Sequence, residues 1–215
     1  MVKLMSRAEI EDFFARLKKH NPNPKTELEY TNPYTLLVAV ALSAQATDKS
    51  VNKATAPLFK QIGTPEKMVA LGEARLADAI KTIGLYRGKA KNVIALSKIL
   101  IEQHGSKVPE NRDALEALPG VGRKTGNVVR SVDFGLPGIP VDTHVLRVSK
   151  RLELTELDDP VKVELALNAL IPPAEGGAFS LRVILHGRAT CTARRPACSR
   201  CILADICPSA FLWGR

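Results

Sequence analysis

Apolar side chains recur along this chain at intervals of three and four residues, the spacing of helices with one buried face. From Ser6 to Lys19 they fall at Ile10, Phe13, Phe14 and Leu17, and Ser6 with Glu9 makes a capping box at the start. The proline-rich stretch His20–Pro24 ends that segment and reads as a linker. Asn32-Pro33 is a cap and first-turn pair opening an apolar helix over Tyr34–Ala44. The same kind of signal recurs where Thr64-Pro65 precedes Met68 and Leu71, Asp113 with Glu116 precedes Leu118, and Asp159-Pro160 precedes Val163 and Leu167. Period-two alternation is almost absent, and neither Asn-Gly nor Asp-Gly occurs. The pattern predicts an all-α chain of roughly ten short helices with little or no sheet.

The longest unbroken apolar run, Leu36–Leu42, is too short to span a bilayer. The opening MVKLMSRAEIEDFF has no apolar segment and turns acidic early, so it is not expected to be a secretory signal. A soluble cytoplasmic protein with no membrane partner is the expectation. The 215 residues, 45% hydrophobic and 25% charged, suffice for one large domain or two small ones. Charge adds direction: 31 basic residues against 22 acidic leave a net +9. Between Gly176 and Ala204 there is no acidic residue, yet Arg182, Arg188, Arg194, Arg195 and Arg200 fall there. Such an excess points to a polyanion, nucleic acid before membrane, against the plainer reading of a basic surface that aids solubility.

All four cysteines lie near the end, Cys191, Cys198, Cys201 and Cys207, spaced C-x6-C-x2-C-x5-C. Four thiolates so close in sequence can close around one metal centre, and a reducing compartment disfavours disulfides. Zinc sites commonly show two C-x2-C knuckles and this cluster has one, while the Cys207-Pro208 ending is a weak feature of iron–sulfur ligand runs. Spacing alone leaves the metal open. Arg194 and Arg195 occupy the first gap, where the centre would hold a basic loop against phosphates.

Two further segments carry candidate chemistry. In Leu118-Pro-Gly-Val-Gly-Arg-Lys-Thr125 the turn Pro119–Gly122 joins two helices, and the backbone around Gly120, Val121 and Gly122, with Arg123, can receive a phosphodiester without reading sequence. A Walker A loop is excluded, because Arg123 separates Gly122 from Lys124 and no strand precedes the turn. Lys124 suits two jobs equally, a phosphate ligand or an amine for Schiff-base chemistry at a sugar C1′. In Val141-Asp-Thr-His-Val-Leu-Arg-Val, Asp142 precedes a helix with Val145, Val148 and Leu152 at core spacing. Its ordinary job is to cap the amides of Thr143 or His144; its functional reading is a carboxylate that stabilises positive charge or assists proton transfer. His144 is a candidate phosphate contact.

Together these stretches resemble the endonuclease III family of DNA glycosylases, within the helix-hairpin-helix superfamily. The resemblance runs through LSAQATD at 42–48, GLY at 84–86, LPGVGRKT at 118–125, VDTHVLRV at 141–148, LHGR at 185–188 and the cysteine spacing. It implies that Lys124 is the nucleophile, Asp142 the essential carboxylate, and Cys191, Cys198, Cys201 and Cys207 the ligands of a 4Fe–4S cluster. It also implies a bifunctional glycosylase and abasic-site lyase that flips oxidised pyrimidines out of duplex DNA, with Gln45 and Leu85 filling the vacated space. Without it, Gln45 reads as a helix-end polar residue and Leu85 as core. The implied architecture is a six-helix domain over 26–136, with the helix-hairpin-helix at about 112–132, and a discontinuous cluster domain of 1–25 plus 137–215, with a DNA cleft between them. No obligate protein partner is implied, and a monomer is expected. The competing readings are a DNA-binding module without catalysis and a glycosylase of different base preference. One departure is Gly126, where the family usually has alanine.

Overall fold

Side-chain caps open seven of the α-helices in the computed structural model, which describes residues 4–212. The ends of the expected cluster domain and of the non-signal opening, residues 1–3 and 213–215, lie outside the described residues. Eleven α-helices are present among the described residues, with no strand: α1 (Arg7–His20), α2 (Pro33–Leu42), α3 (Asp48–Phe59), α4 (Pro65–Leu71), α5 (Glu73–Ala79), α6 (Tyr86–His104), α7 (Arg112–Glu116), α8 (Arg123–Val132), α9 (Thr143–Arg151), α10 (Pro160–Leu170) and α11 (Gly176–Ala189). Short 3-10 turns occur at Pro173–Glu175 and Cys198–Arg200.

The caps are largely those legible in the chain. Ser6 and Glu9 exchange both bonds of a capping box, and Asn32, Thr64 and Asp159 each accept an amide of the first turn that follows. Two expectations need correction. The cap of α7 is Asn111, which accepts the Ala114 amide, so Asp113 sits inside the first turn. Helix α2 stops at Leu42 rather than running to Ala44, because the chain then turns: Ala46 donates to Ser43 O and Gln45 takes a left-handed conformation that no α-helix continues through.

The chain divides into two compact units, Thr26–Gly135 and Met1–Lys25 with Leu136–Arg215. In the first, α2 is buried on every side from Tyr34 to Leu42, as expected of a helix that is apolar all round. It packs against α3, α6 and α8, while α4 and α5 cover α6. In the second, α1 and α9 pack on α11, around Phe13, Val145, Val148, Phe179 and Val183. Phe14 stacks on Phe179 with ring centroids 5.1 Å apart. Arg182 is buried and donates to the carbonyls of Asn21 and Pro22, anchoring the proline-rich stretch after α1.

Candidate functional site

In the Thr26–Gly135 unit, α7 and α8 flank the turn Ala117–Gly122. Val121 donates its amide to Leu118 O at 3.0 Å, and its side chain is buried, so this residue braces the turn from inside. Gly120 has φ +78, and a Cβ added there would lie 3.0 Å from Asn92 Cβ; both facts require glycine. Gly122 caps α8 with its backbone alone, and Arg123 and the exposed Lys124 occupy the first two positions of the helix. First-turn amides have no carbonyl four residues back, so they and these cations make a surface that attracts anions. Gly126 is buried, yet a Cβ there would meet Leu115 Cβ only at 3.7 Å, an ordinary contact.

Gln45 and Leu85 meet at one place. Both line an open cavity of about 660 Å³, together with Ala44, Lys89, Asn92 and Gly120. Both are non-glycine residues in the left-handed region, φ +55 and +60, where L-residues are disfavoured. Leu85 is 70% exposed, the opposite of a core leucine. A strained backbone presenting an apolar side chain to solvent fits a part that is used when a partner arrives. Lys89 belongs to the same cavity and carried no signal in the sequence, because a lysine on a helix ordinarily lies on its solvated face.

In the other unit, Asp142 caps α9: Oδ1 accepts the amides of His144 at 2.8 Å and Val145 at 2.9 Å, the second in place of the expected Thr143. His144 is half-buried, its Nδ1 3.0 Å from Arg147 Nη2, and burial lowers its basicity below the ordinary histidine range. Farther along the same helix, Arg147 donates twice to Cys191 O, and Arg151 donates to Thr192 O and Ala193 O at 2.8 Å and toward Cys191 Sγ at 3.3 Å. Both arginines were missed in the sequence; their partners lie about forty residues away and no local pattern marks them.

The four cysteines line one small cavity with Arg151 and His186, whose Nε2 is 3.6 Å from Cys201 Sγ. Among the described residues no three His, Cys, Asp or Glu side chains come close enough to share a single metal ion. Four cysteines lining one space supply the donor set of an iron–sulfur site. Burial pushes the Cys207 thiol up to about 11 and raises that of Cys201, so a bound cation is needed to hold them as thiolates. Arg194 and Arg195 are exposed on the loop between Cys191 and Cys198, which Thr192 Oγ1 closes by donating to Arg195 O at 2.7 Å.

Comparison with known proteins sharpens these observations. Residues 38–173 match the model of the HhH-GPD superfamily base excision DNA repair proteins, and residues 191–207 match the iron–sulfur binding domain of endonuclease III. Endonuclease III of Haemophilus influenzae is 50% identical over 203 residues, covering 94% of this chain and 96% of that one. The Treponema pallidum protein of the same name is 50% identical over 206 residues, covering 96% and 98%. A solved structure of a trapped endonuclease III–DNA covalent intermediate superposes with a TM-score of 0.91 at 44% identity, covering 96% of this chain and 98% of that one. A thermostable thymine-DNA glycosylase is more distant, with a TM-score of 0.83 at 25% identity over 94% and 97%.

Proposed function

Because this chain belongs to the endonuclease III family of the HhH-GPD superfamily, we propose that Lys124 is its nucleophile and Asp142 the carboxylate that assists it. The protein is a DNA glycosylase and abasic-site lyase of base excision repair, binds DNA and carries a 4Fe–4S cluster. We propose further that it acts as a monomer in the cytoplasm, on oxidised pyrimidines in duplex DNA. Among the described residues no helix is long and apolar enough to cross a membrane.

The observation that carries the assignment is the exposed Lys124 in the first turn of α8, beside a glycine turn built to seat a phosphate. Once the damaged nucleotide is extruded, with Gln45 and Leu85 filling the gap, the Lys124 amine attacks C1′ and the base departs with the glycosidic electron pair. The Asp142 carboxylate offsets positive charge developing on the sugar as the base departs. Ring opening leaves an imine between Lys124 and C1′. Loss of a C2′ proton expels the 3′ phosphate by β-elimination, and water then hydrolyses the imine to free the lysine. The backbone of Gly120–Gly122, Arg123, His144, Arg194 and Arg195 hold phosphates. When bound to Cys191, Cys198, Cys201 and Cys207, the cluster cross-links the chain and fixes the Arg194–Arg195 loop.

Borohydride trapping on a duplex with a single thymine glycol tests this. The wild type should give a covalent protein–DNA adduct, and Lys124→Ala should give none while still binding the duplex. An adduct from both proteins moves the nucleophile elsewhere. Binding without an adduct from the wild type, on this duplex and on a plain abasic one, would leave a DNA clamp; an adduct on the abasic duplex alone would mean a different base preference.

A further inference from the structure

Lysine is among the residues least often buried, since its ammonium loses hydration. Among the described residues three cations are buried, Lys89, Arg151 and Arg182. Each arginine spreads its charge over at least two backbone carbonyls. Lys89 has one: Nζ donates to Leu42 O at 2.9 Å, and burial lowers its basicity below the ordinary lysine range. A methionine would fill the same volume without this cost, so the ammonium calls for another explanation.

Its position supplies one. Leu42 ends α2, whose last carbonyls lack helical partners and carry the negative end of the dipole. The chain then turns through Ser43–Ala46, where Ala46 donates to Ser43 O, and Gln45 takes its left-handed conformation. At the other end, the Lys89 amide donates to Leu85 O at 3.1 Å, the first bond of α6, and Leu85 caps that helix from a left-handed conformation with no side-chain bond. The backbone of Lys89 therefore holds one strained turn, and its side chain holds the end of α2 from which the other turn leaves. Asn92, less than a turn farther along α6, packs under Gly120 of the glycine turn between α7 and α8. Residues in sparsely populated conformations persist only where their surroundings over-determine them, and the 70% exposed Leu85 side chain cannot do that.

We propose that Lys89 is a positioning residue for base extrusion, tying the Gln45 turn to the Leu85 turn so that both enter the duplex in register. This rests on the reading of Gln45 and Leu85 as the residues that fill the vacated space. The test uses the full-length, cluster-loaded protein with Lys89→Met and Lys89→Arg. Single-turnover release of thymine glycol from a duplex should fall about tenfold in Lys89→Met and recover to within about threefold of wild type in Lys89→Arg. Strand cleavage at an abasic site in a single strand, where nothing has to be extruded, should change less than about twofold. Amide exchange should quicken at residues 43–46 and 85–89 in Lys89→Met while α8 is unchanged. Equal losses on both substrates, or unaltered release from the duplex, would overturn the proposal, as would unchanged exchange. Gln45→Ala and Leu85→Ala run alongside: if they leave duplex release intact, the space-filling reading fails, and the exchange data alone judge whether Lys89 ties the turns. Should Lys89→Met not fold, Lys89→Gln, with a shorter reach, is held to the same outcomes.

Discussion

In the Thr26–Gly135 unit, α2 buries every residue from Tyr34 to Leu42, and the elements around it lean on that apolar rod. Residues 191–212 of the other unit bury only Leu203, and a single 3-10 turn is their one short helix. There Ile202, Leu203 and Ile206 reach the edge of the apolar core, and the rest of the backbone is clamped by arginine side chains from α9 on its carbonyls, with four cysteines lining a common space. Burial of apolar area is non-directional and tolerates repacking, whereas a carbonyl clamp and a thiolate ring work only at fixed geometry. The first unit should therefore lose stability in proportion to volume removed. The end of the second should fail abruptly when a ligand or a clamp is lost.

Cys201→Ser is expected to have the largest effect. It should abolish the visible absorbance of the iron–sulfur cluster and open residues 191–212 to protease, while leaving exchange protection in α2 intact. Retained absorbance would place the cluster on other ligands. Leu37→Ala, in the fully buried α2, should cost about 2–5 kcal/mol of stability with the cluster spectrum unchanged, read by denaturant unfolding. Arg151→Met should cost less, about 1–3 kcal/mol, because two carbonyls lose their donor; its signature is faster cluster loss on dilution or oxidation. A Leu37→Ala protein that shed its cluster faster than Arg151→Met would collapse the distinction between the two units. The smallest effect expected is a gain. Gly126→Ala meets only ordinary contacts inside α8 and should stabilise by about 0.5–1 kcal/mol at unchanged activity.

Local signals in this chain were legible because they act over a few residues. The Ser6–Glu9 box, the Asn32-Pro33 and Asp159-Pro160 starts and the apolar spacing of α9 all stand in the structure where the pattern places them. Asp113 misled for the same reason: Asn111 offers an equal cap two residues earlier, and it is Asn111 whose side chain accepts the Ala114 amide. Leu85 reads as core from its own chemistry and as a space-filling residue only through the resemblance, since hydrophobicity alone does not tell a buried leucine from one displayed to a partner; its side chain is 70% exposed. Lys124, Asp142 and the four cysteines had two readings each from residue chemistry, and the resemblance of several motifs together chose between them.

Helix starts, the apolar faces, the glycine at position 120 and the cysteine spacing follow from the order of residues, because each is a contest among neighbours within one or two turns. The carbonyls that Lys89, Arg147 and Arg151 hold do not, for they lie some forty or more residues away, and a carbonyl has no side-chain identity to read. The left-handed turns at Gln45 and Leu85 likewise exist only because folded surroundings offset a local preference against them.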